Sequence, residues 1–418
     1  MVTRPKGTKD VVPAESYKWQ KIEEVEKNVL RLYGFKEMRT PIFEHTELFL
    51  RSVGDTTDIV NKEMYTFLDK GERSLTLKPE GTSGIVRAFI ENGLDNEPQP
   101  IKTFTFTPCF RYERPQAGRL REHHQCSIEA FGSESAKMDA EIIGMVKTIF
   151  DKLKFINYKI NINSIGCKEC RKKYNEKLKA YYADKIDFMC DDCKSRLEKN
   201  PLRLLDCKDE KCQGFKKDAP KIINNLCDDC AEHFNELKKY LAISDIHFEI
   251  NPLIVRGLDY YNRTVFEFIT NEDGALGTIC GGGRYDGLVE TLGGKNIPAV
   301  GVGLGFERLI SLMEKNEVKI KDSSNLDLYI ATVDENMRDE VFALALNLRD
   351  KGVSVDYDLI GRSFKSEMKY ANKISARYII VFGETEYKTK TFKVKNMATS
   401  FEKEVAQDEL ASFILKNK

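Results

Sequence analysis

Four arginines stand within the segment FRYERPQAGRLREHHQCSIEAFG (110–132): Arg111, Arg114, Arg119 and Arg121. They surround a Pro-Gln-Ala-Gly turn between two runs that read as strands. A hairpin carrying guanidinium groups suits a polyphosphate, because each planar fork binds phosphate oxygens bidentately and never loses its charge. A solvated basic loop is the plainer reading. On the returning run, Gln125, Ser127 and Glu129 are spaced two apart and so share one strand face. A carboxylate and an amide beside arginines point to a small polar ligand, although a structural ion pair explains Glu129 alone equally well.

Four other segments carry chemistry. LIVRGLDYYNRTVFEF (253–268) places Arg256 before the pair Tyr260 and Tyr261; alone it reads equally well as a buried strand edge. ICGGGRYDGLVETLGG (279–294) and AVGVGLGFERLI (299–310) bring glycines that allow close backbone approach. They match neither a dinucleotide fingerprint nor a Walker loop. Gly301, Gly303 and Gly305 alternate on a strand and clear one face for a flat ring or a neighbouring backbone, and Arg308 follows at a helix start. LKPEGTSGIVRAFIENG (77–93) sets Glu80 and Thr82 at a strand-to-helix turn, where Thr82 or Ser83 also suits a helix cap.

The chain has 11 cysteines. Cys167/Cys170, Cys190/Cys193 and Cys227/Cys230 are CxxC pairs, and Cys207/Cys212 is a looser fourth. Such pairs suit tetrahedral thiolate coordination of a structural Zn²⁺. Eight thiolates allow two sites, or one site with spares; reduced cysteines on helices are the alternative.

These groups need elements to hold them. Residues 14–33 read as an amphipathic helix ended by Gly34. FKEMRTPIFEHTELF reads as extended, with Pro41 at an edge or interface. KEMYTFLDKGERSLTLKPEGT, PIKTFTFTPCFRYERP and HHQCSIEAFG read as strands close in sequence, which favours an antiparallel sheet. A helix is predicted over 136–154. Residues 167–240, rich in Cys, Lys and Asp, read as a mostly helical insertion. Strands and Gly-rich turns return over 248–310. KNEVKIKDSSN (315–325) is the linker candidate. DLYIATV, VSVDYD and ARYIIVFG, alternating with helices, predict a small mixed α/β domain with a parallel sheet. Two domains follow: 1–320, interrupted by the insertion, and 326–418.

Basic and acidic residues balance at 66 each, and they also balance within the C-terminal domain, so any nucleic-acid contact rests on local patches. The N-terminal MVTRPKGTKD lacks the apolar core of a secretory signal. No run of about 18 apolar residues exists. A cytoplasmic protein with no membrane association is expected.

Taken together, these segments resemble the class II aminoacyl-tRNA synthetases. GFKEMRTPIFEHTELF is similar to their motif 1, the dimer interface. FRYERPQAGRLREHHQ is similar to motif 2 and VGLGFERLI to motif 3. VRGLDYYNRTVFEF and GGGRYDGLVE resemble the signature peptides of the histidyl branch. The resemblance spans nearly the whole chain and implies an α+β fold: an antiparallel catalytic sheet with flanking helices, the helical Cys-rich insertion, and a C-terminal α/β anticodon-binding domain. It also implies a homodimer that activates L-histidine with ATP and Mg²⁺, then passes it to the 3′ end of tRNA(His).

The resemblance further implies roles. Arg111 and Arg308 would contact the ATP phosphates, and Arg119 ATP or the tRNA acceptor end, with Arg114 a further tRNA contact. Glu80, Thr82 and Gln125 would hold the α-amino group. Glu129 and Tyr261 would bracket the imidazole, with Tyr260 beside them and Tyr285 closing the pocket. Arg256, together with Arg111, would stabilise charge at the histidine carboxylate and the α-phosphate. In the C-terminal domain Arg362, Lys365, Lys369 and Lys373 are spaced as one helix face, a stripe suited to tRNA phosphates or to plain solvation. A catalytically inactive relative, the regulatory subunit of ATP phosphoribosyltransferase in histidine biosynthesis, shares the fold but usually lacks the last domain and loses signature residues. Arg256, Glu80, Arg111 and Arg308 are all present here.

Overall fold

Pro13 opens the first helix, where a proline forfeits no hydrogen bond. In the computed structural model, which describes residues 1–54, 57–207, 209–272, 276–322 and 326–417, that helix is α1 (Pro13–Leu32) and buries Ile22, Val25, Val29 and Leu30. Next come β1 (Lys36–Glu37), β2 (Phe43–His45), α2 (Thr46–Val53), β3 (Tyr65–Leu68), β4 (Ser74–Leu77) and α3 (Thr82–Glu91). The long hairpin is β5 (Ile101–Phe110) and β6 (Glu122–Phe131), followed by α4 (Ala136–Lys152) and β7 (Lys159–Ser164).

The insertion holds α5 (Lys168–Tyr182), α6 (Asp191–Lys199), α7 (Glu210–Gln213) and α8 (Asp228–Ile243), with short 3₁₀ turns between them. The chain then returns through β8 (Glu249–Ile250), β9 (Asn262–Ile269), β10 (Thr278–Arg284), α9 (Leu288–Thr291), β11 (Ala299–Gly305) and α10 (Phe306–Lys315).

Eight strands form one sheet in the order β1-β5-β6-β11-β10-β9-β7-β8. All its pairs are antiparallel except the two outermost, β1–β5 and β7–β8. One sheet face packs on α1, α4 and α10 through a core including Ile22, Ile128, Ile143, Phe266 and Leu312. Residues of α3, the insertion and the opposite sheet face share a second apolar cluster, in which Tyr174, Leu178 and Leu205 join Phe131, Tyr261 and Tyr285. β2, β4 and β3 form a separate antiparallel sheet.

The chain divides into two compact units, Met1–Ile320 and Lys321–Lys418. In the second, β12 (Leu328–Thr332), β13 (Val355–Tyr357), β14 (Tyr378–Phe382), β15 (Thr391–Asn396) and β16 (Glu402–Ala406) make a sheet in the order β13-β12-β14-β15-β16. Its helices are α11 (Arg338–Asp350), α12 (Phe364–Lys373), α13 (Glu384–Thr389) and α14 (Leu410–Lys416). The first three strands are parallel, as expected, and the last two add an antiparallel hairpin.

Some expectations need correction. The segment expected to be extended turns helical at Thr46, because Leu48, Phe49, Ser52 and Val53 recur at helical spacing and are buried. The first half of the linker candidate belongs to the first unit: Lys315 ends α10, and Val318 and Ile320 pack on its core. Residues 323–325 lie outside the described residues. The basic stripe also loses a member. Arg362 precedes α12; its guanidinium pairs with Asp358 at 2.9 Å and stacks over Tyr370, 4.1 Å from the ring centroid. Lys365, Lys369 and Lys373 do lie on α12 and are exposed.

Candidate active site

The β6–β11 register sets Glu129 opposite Gly301, Ser127 opposite Gly303 and Gln125 opposite Gly305. The glycines thus lie in β11 beside the row of polar side chains that the spacing in β6 aligned. Their lack of side chains has a local cause: a Cβ at Gly301 would overlap the Glu129 carboxylate, and one at Gly281 would overlap the Arg256 guanidinium. The cleared face floors an open cleft of about 940 Å³, lined among others by Glu80, Thr82, Arg111, Arg119, Gln125, Arg256, Tyr260, Tyr261 and Arg308.

At one end of the cleft three arginines converge. Arg111 donates from Nε to the Pro79 carbonyl at 2.8 Å, Arg119 pairs with Glu113 at 2.7 Å, and Arg308, on the first turn of α10, donates to the Thr278 carbonyl. Burial, then the charge of Arg119, pushes the Arg308 pKa down. His123 reports the same field: burial, reinforced by Arg111 and Arg308, depresses its pKa to about 3, so its ring is neutral. Like charges held this close in a partly desolvated site favour a polyanion.

The buried Nε atoms of Arg308 and Arg256 have no hydrogen-bond partner among the described residues. Arg121 does not join this group; it stacks on Tyr112, 3.8 Å from the ring centroid, and packs over Gly7. Arg114 is exposed on the loop and is absent from the cleft lining.

At the other end the groups are buried and mutually bonded. Glu80 caps α3, accepting from the backbone N–H of Thr82 at 2.7 Å and of Ser83 at 2.8 Å. That corrects the expectation of Thr82 or Ser83 as the cap and frees the Thr82 hydroxyl, which donates to Glu129 at 2.7 Å. The Tyr285 hydroxyl donates to the other Glu129 oxygen. Glu129 and Tyr285 are each 1 % exposed and sit just behind the lining; Tyr285 is a support beneath the pocket floor rather than its lid. Burial raises the Glu129 pKa to about 8, against the opposing pull of the Tyr285 and Thr82 hydroxyls.

Tyr260, Tyr261 and Tyr285 pack as an aromatic trio with centroids 4.6–6.4 Å apart. Arg256 lies 5.6 Å from the Tyr261 ring centroid and is anchored by Glu267, 2.5 Å away. Gln125 donates to Ser127 at 2.7 Å. The sequence reading missed His123, Glu113 and Glu267. Glu113 and His123 sit inside the arginine-rich segment, and Glu267 faces Gly281 across β9–β10.

A fold of this order, with a polyanion pocket beside a buried carboxylate–phenol pocket, has known counterparts. Residues 65–317 match the family of tRNA synthetase class II core domains (G, H, P, S and T), and residues 327–417 match the anticodon binding domain family. The chain is a class II tRNA synthetase, with the antiparallel catalytic sheet and C-terminal domain that the motifs implied. It is 53 % identical to the histidine–tRNA ligase of Clostridium novyi over 99 % of this chain and 100 % of that one. Against that of Thermoanaerobacter pseudethanolicus it is 55 % identical over 98 % of each. The crystal structure of apo histidyl-tRNA synthetase from S. aureus superposes with a TM-score of 0.84 at 37 % identity, covering 99 % of this chain and all of that one. Within its class the chain therefore belongs to the histidine–tRNA ligase family. Among the described residues, no helix is long and apolar enough to cross a membrane.

Proposed function

We propose that the chain activates L-histidine with ATP to histidyl-adenylate and pyrophosphate, then transfers histidine to the 3′ end of tRNA(His). The observation that carries this reading is one cleft with three converging guanidinium groups at one end and the Glu129–Tyr261 pocket at the other. ATP would enter as its Mg²⁺ complex, the ion offsetting part of the phosphate charge.

Arg111, Arg119 and Arg308 receive the phosphates. A neutral imidazole offers one donor and one acceptor; Glu129 takes one ring nitrogen and Tyr261 the other, with Tyr285 and Thr82 fixing the Glu129 oxygens. Gln125, Thr82 and Glu80 serve the α-amino group. Arg256, steered by Glu267, faces the histidine carboxylate and the α-phosphate. The carboxylate attacks phosphorus, pyrophosphate leaves, and catalysis consists of positioning and of charge placed in advance. Aminoacylation of tRNA(His) with radiolabelled histidine tests the whole reading: histidine is expected to accumulate on the tRNA, and absence of charging by folded enzyme would refute it.

The second unit, an anticodon-binding domain by family, takes the distal end of the tRNA. Lys365, Lys369 and Lys373 are its candidate phosphate contacts. Each lost contact removes about one unit from the salt slope of binding. A triple Lys→Gln variant is expected to weaken tRNA binding and flatten that slope, read by filter binding across a KCl series, with the KM for histidine unchanged.

The enzyme works in the cytoplasm as a homodimer. Support for the dimer comes from the β2-β4-β3 sheet, where Ile42, Phe43, Phe67 and Leu68 are exposed; apolar patches of this kind mark interfaces. Light scattering is expected to return about twice the chain mass of 47.9 kDa; the monomer mass at micromolar concentration would contradict it. The inactive regulatory reading is disfavoured by the residues lining the cleft and by the C-terminal domain.

A further inference from the structure

Eight of the 11 cysteines form two groups outside the cleft. One is Cys167, Cys170, Cys227 and Cys230; the other is Cys190, Cys193, Cys207 and Cys212. Within each group all four sulfurs lie within 4.8 Å of one another. Sγ–Sγ separations are 3.6 Å for Cys167–Cys170, 3.9 Å for Cys167–Cys227 and 3.7 Å for Cys190–Cys207. Four thiolates at about 2.3 Å from a central Zn²⁺ define a tetrahedron with edges of about 3.8 Å. A disulfide needs about 2.05 Å. An iron–sulfur cube, with several ions between its cysteines, needs sulfurs further apart than these.

The backbone is arranged for thiolates. Cys167, Cys190 and Cys227 are the N-caps of α5, α6 and α8, and the second cysteine of each CxxC falls in the first turn. Helix N-termini stabilise negative sulfur. The N–H of Cys227 points at Cys170 Sγ (3.1 Å) and that of Cys190 at Cys212 Sγ (3.4 Å). Such second contacts orient metal ligands.

We propose that each group holds one structural Zn²⁺, two per chain, and that the two knots brace the tyrosine peptide of the histidine pocket. The first knot ties the start of α5 to the start of α8 and closes the insertion at its neck. Arg171, next to Cys170, donates to the Tyr261 carbonyl at 3.1 Å, and Gly166 accepts from the Arg263 N–H at 2.9 Å. The second knot folds the distal part of the insertion, from which Asn200 donates to Asp259 at 2.8 Å. Asp259 and Tyr261 flank Tyr260, so both ends of the peptide hang on metal-fixed elements. The bracing rests on the proposed histidine site, whereas the metal count does not.

Elemental analysis of the purified full-length protein is expected to give two Zn per chain. Cys193→Ser and Cys230→Ser should each leave one, and the double variant none. Where a variant fails to fold, titration of the wild type with an organomercurial should release two Zn for eight thiols. No zinc with eight thiols open to alkylation, disulfides in the intact mass, or iron in place of zinc would overturn the sites. Stripping zinc from the enzyme is expected to raise the KM for histidine about tenfold, the scale of a lost ligand-supporting contact, while leaving the KM for ATP within about twofold. Equal changes in both, or none, would overturn the bracing and leave the metal sites standing.

Discussion

Arg256→Ala is expected to lower histidine-dependent ATP–pyrophosphate exchange by about 10²–10³-fold, the range for removing one preorganised group aimed at developing charge. Arg256 reaches the cleft from between Tyr261 and Glu267 and is held by both, so its geometry is set before any substrate arrives. Preorganisation is what gives such a group its leverage, because nothing has to reorient as the α-phosphate gains charge. The loss should fall mainly on kcat, since phosphate binding in the ground state is shared with Arg111 and Arg308. Arg256→Lys keeps a charge but lacks the planar fork, and is expected to restore only a small part. Circular dichroism and the mass in solution should match the parent. Near-normal exchange by the folded variant would refute the role.

The second large effect concerns Glu129. Glu129→Ala leaves two buried hydroxyls, of Thr82 and Tyr285, without their acceptor, as well as an imidazole nitrogen unpaired. Sites built to hydrogen-bond a ligand reject mismatches by about 10⁴-fold, so kcat/KM for histidine is expected to fall by about 10³-fold or more, with the KM for ATP little changed.

Glu129→Gln isolates the proton. In the free enzyme Glu129 stays protonated up to its pKa of about 8, and free imidazole is neutral above about 6.5. Burial is the chief cause of the raised pKa, so the pocket resists net charge and favours a carboxyl–imidazole pair that together holds one proton. Between those limits histidine then binds with no proton exchanged. Above about pH 8 a proton must be taken up, and below about 6.5 one must be released, so 1/KM for histidine should fall on both sides. The substituted amide has no ionisable proton, so the alkaline limb should vanish while the acid limb stays. A profile unchanged by the substitution would contradict the proposed pairing.

How much of this was legible in the sequence follows from how local each feature is. The arginine hairpin, the polar row Gln125–Ser127–Glu129 and the alternating glycines were readable because strand period and side-chain chemistry are local properties. What those residues contact was not. Glu80 takes the α3 cap and so releases Thr82 to Glu129; Tyr285, distant in sequence, turns inward beneath the same carboxylate. The Thr82–Glu129 bond depends on α3 packing against β6, and the Tyr285–Glu129 bond on β10 lying one strand away from β6 across β11; no local pattern encodes either. The CxxC pairs were visible, but their partnership across the insertion was not, because Cys167 and Cys227 meet only when α5 and α8 return to a common neck. Arg362 failed for a simpler reason: helical spacing was extended one turn past the true start of α12, into a loop that Asp358 holds. The β15–β16 hairpin was missed because its apolar positions, Phe392, Val394 and Val405, are few among lysines and glutamates.

Every role assigned here depends on nucleotide phosphates and an imidazole sharing a single cavity. ATP–pyrophosphate exchange with each of the twenty amino acids in turn reads that arrangement directly. Exchange is expected with histidine alone, by the parent enzyme and far more weakly by the Arg256 and Glu129 variants. Comparable exchange with another amino acid, or none with histidine from folded enzyme, would contradict it.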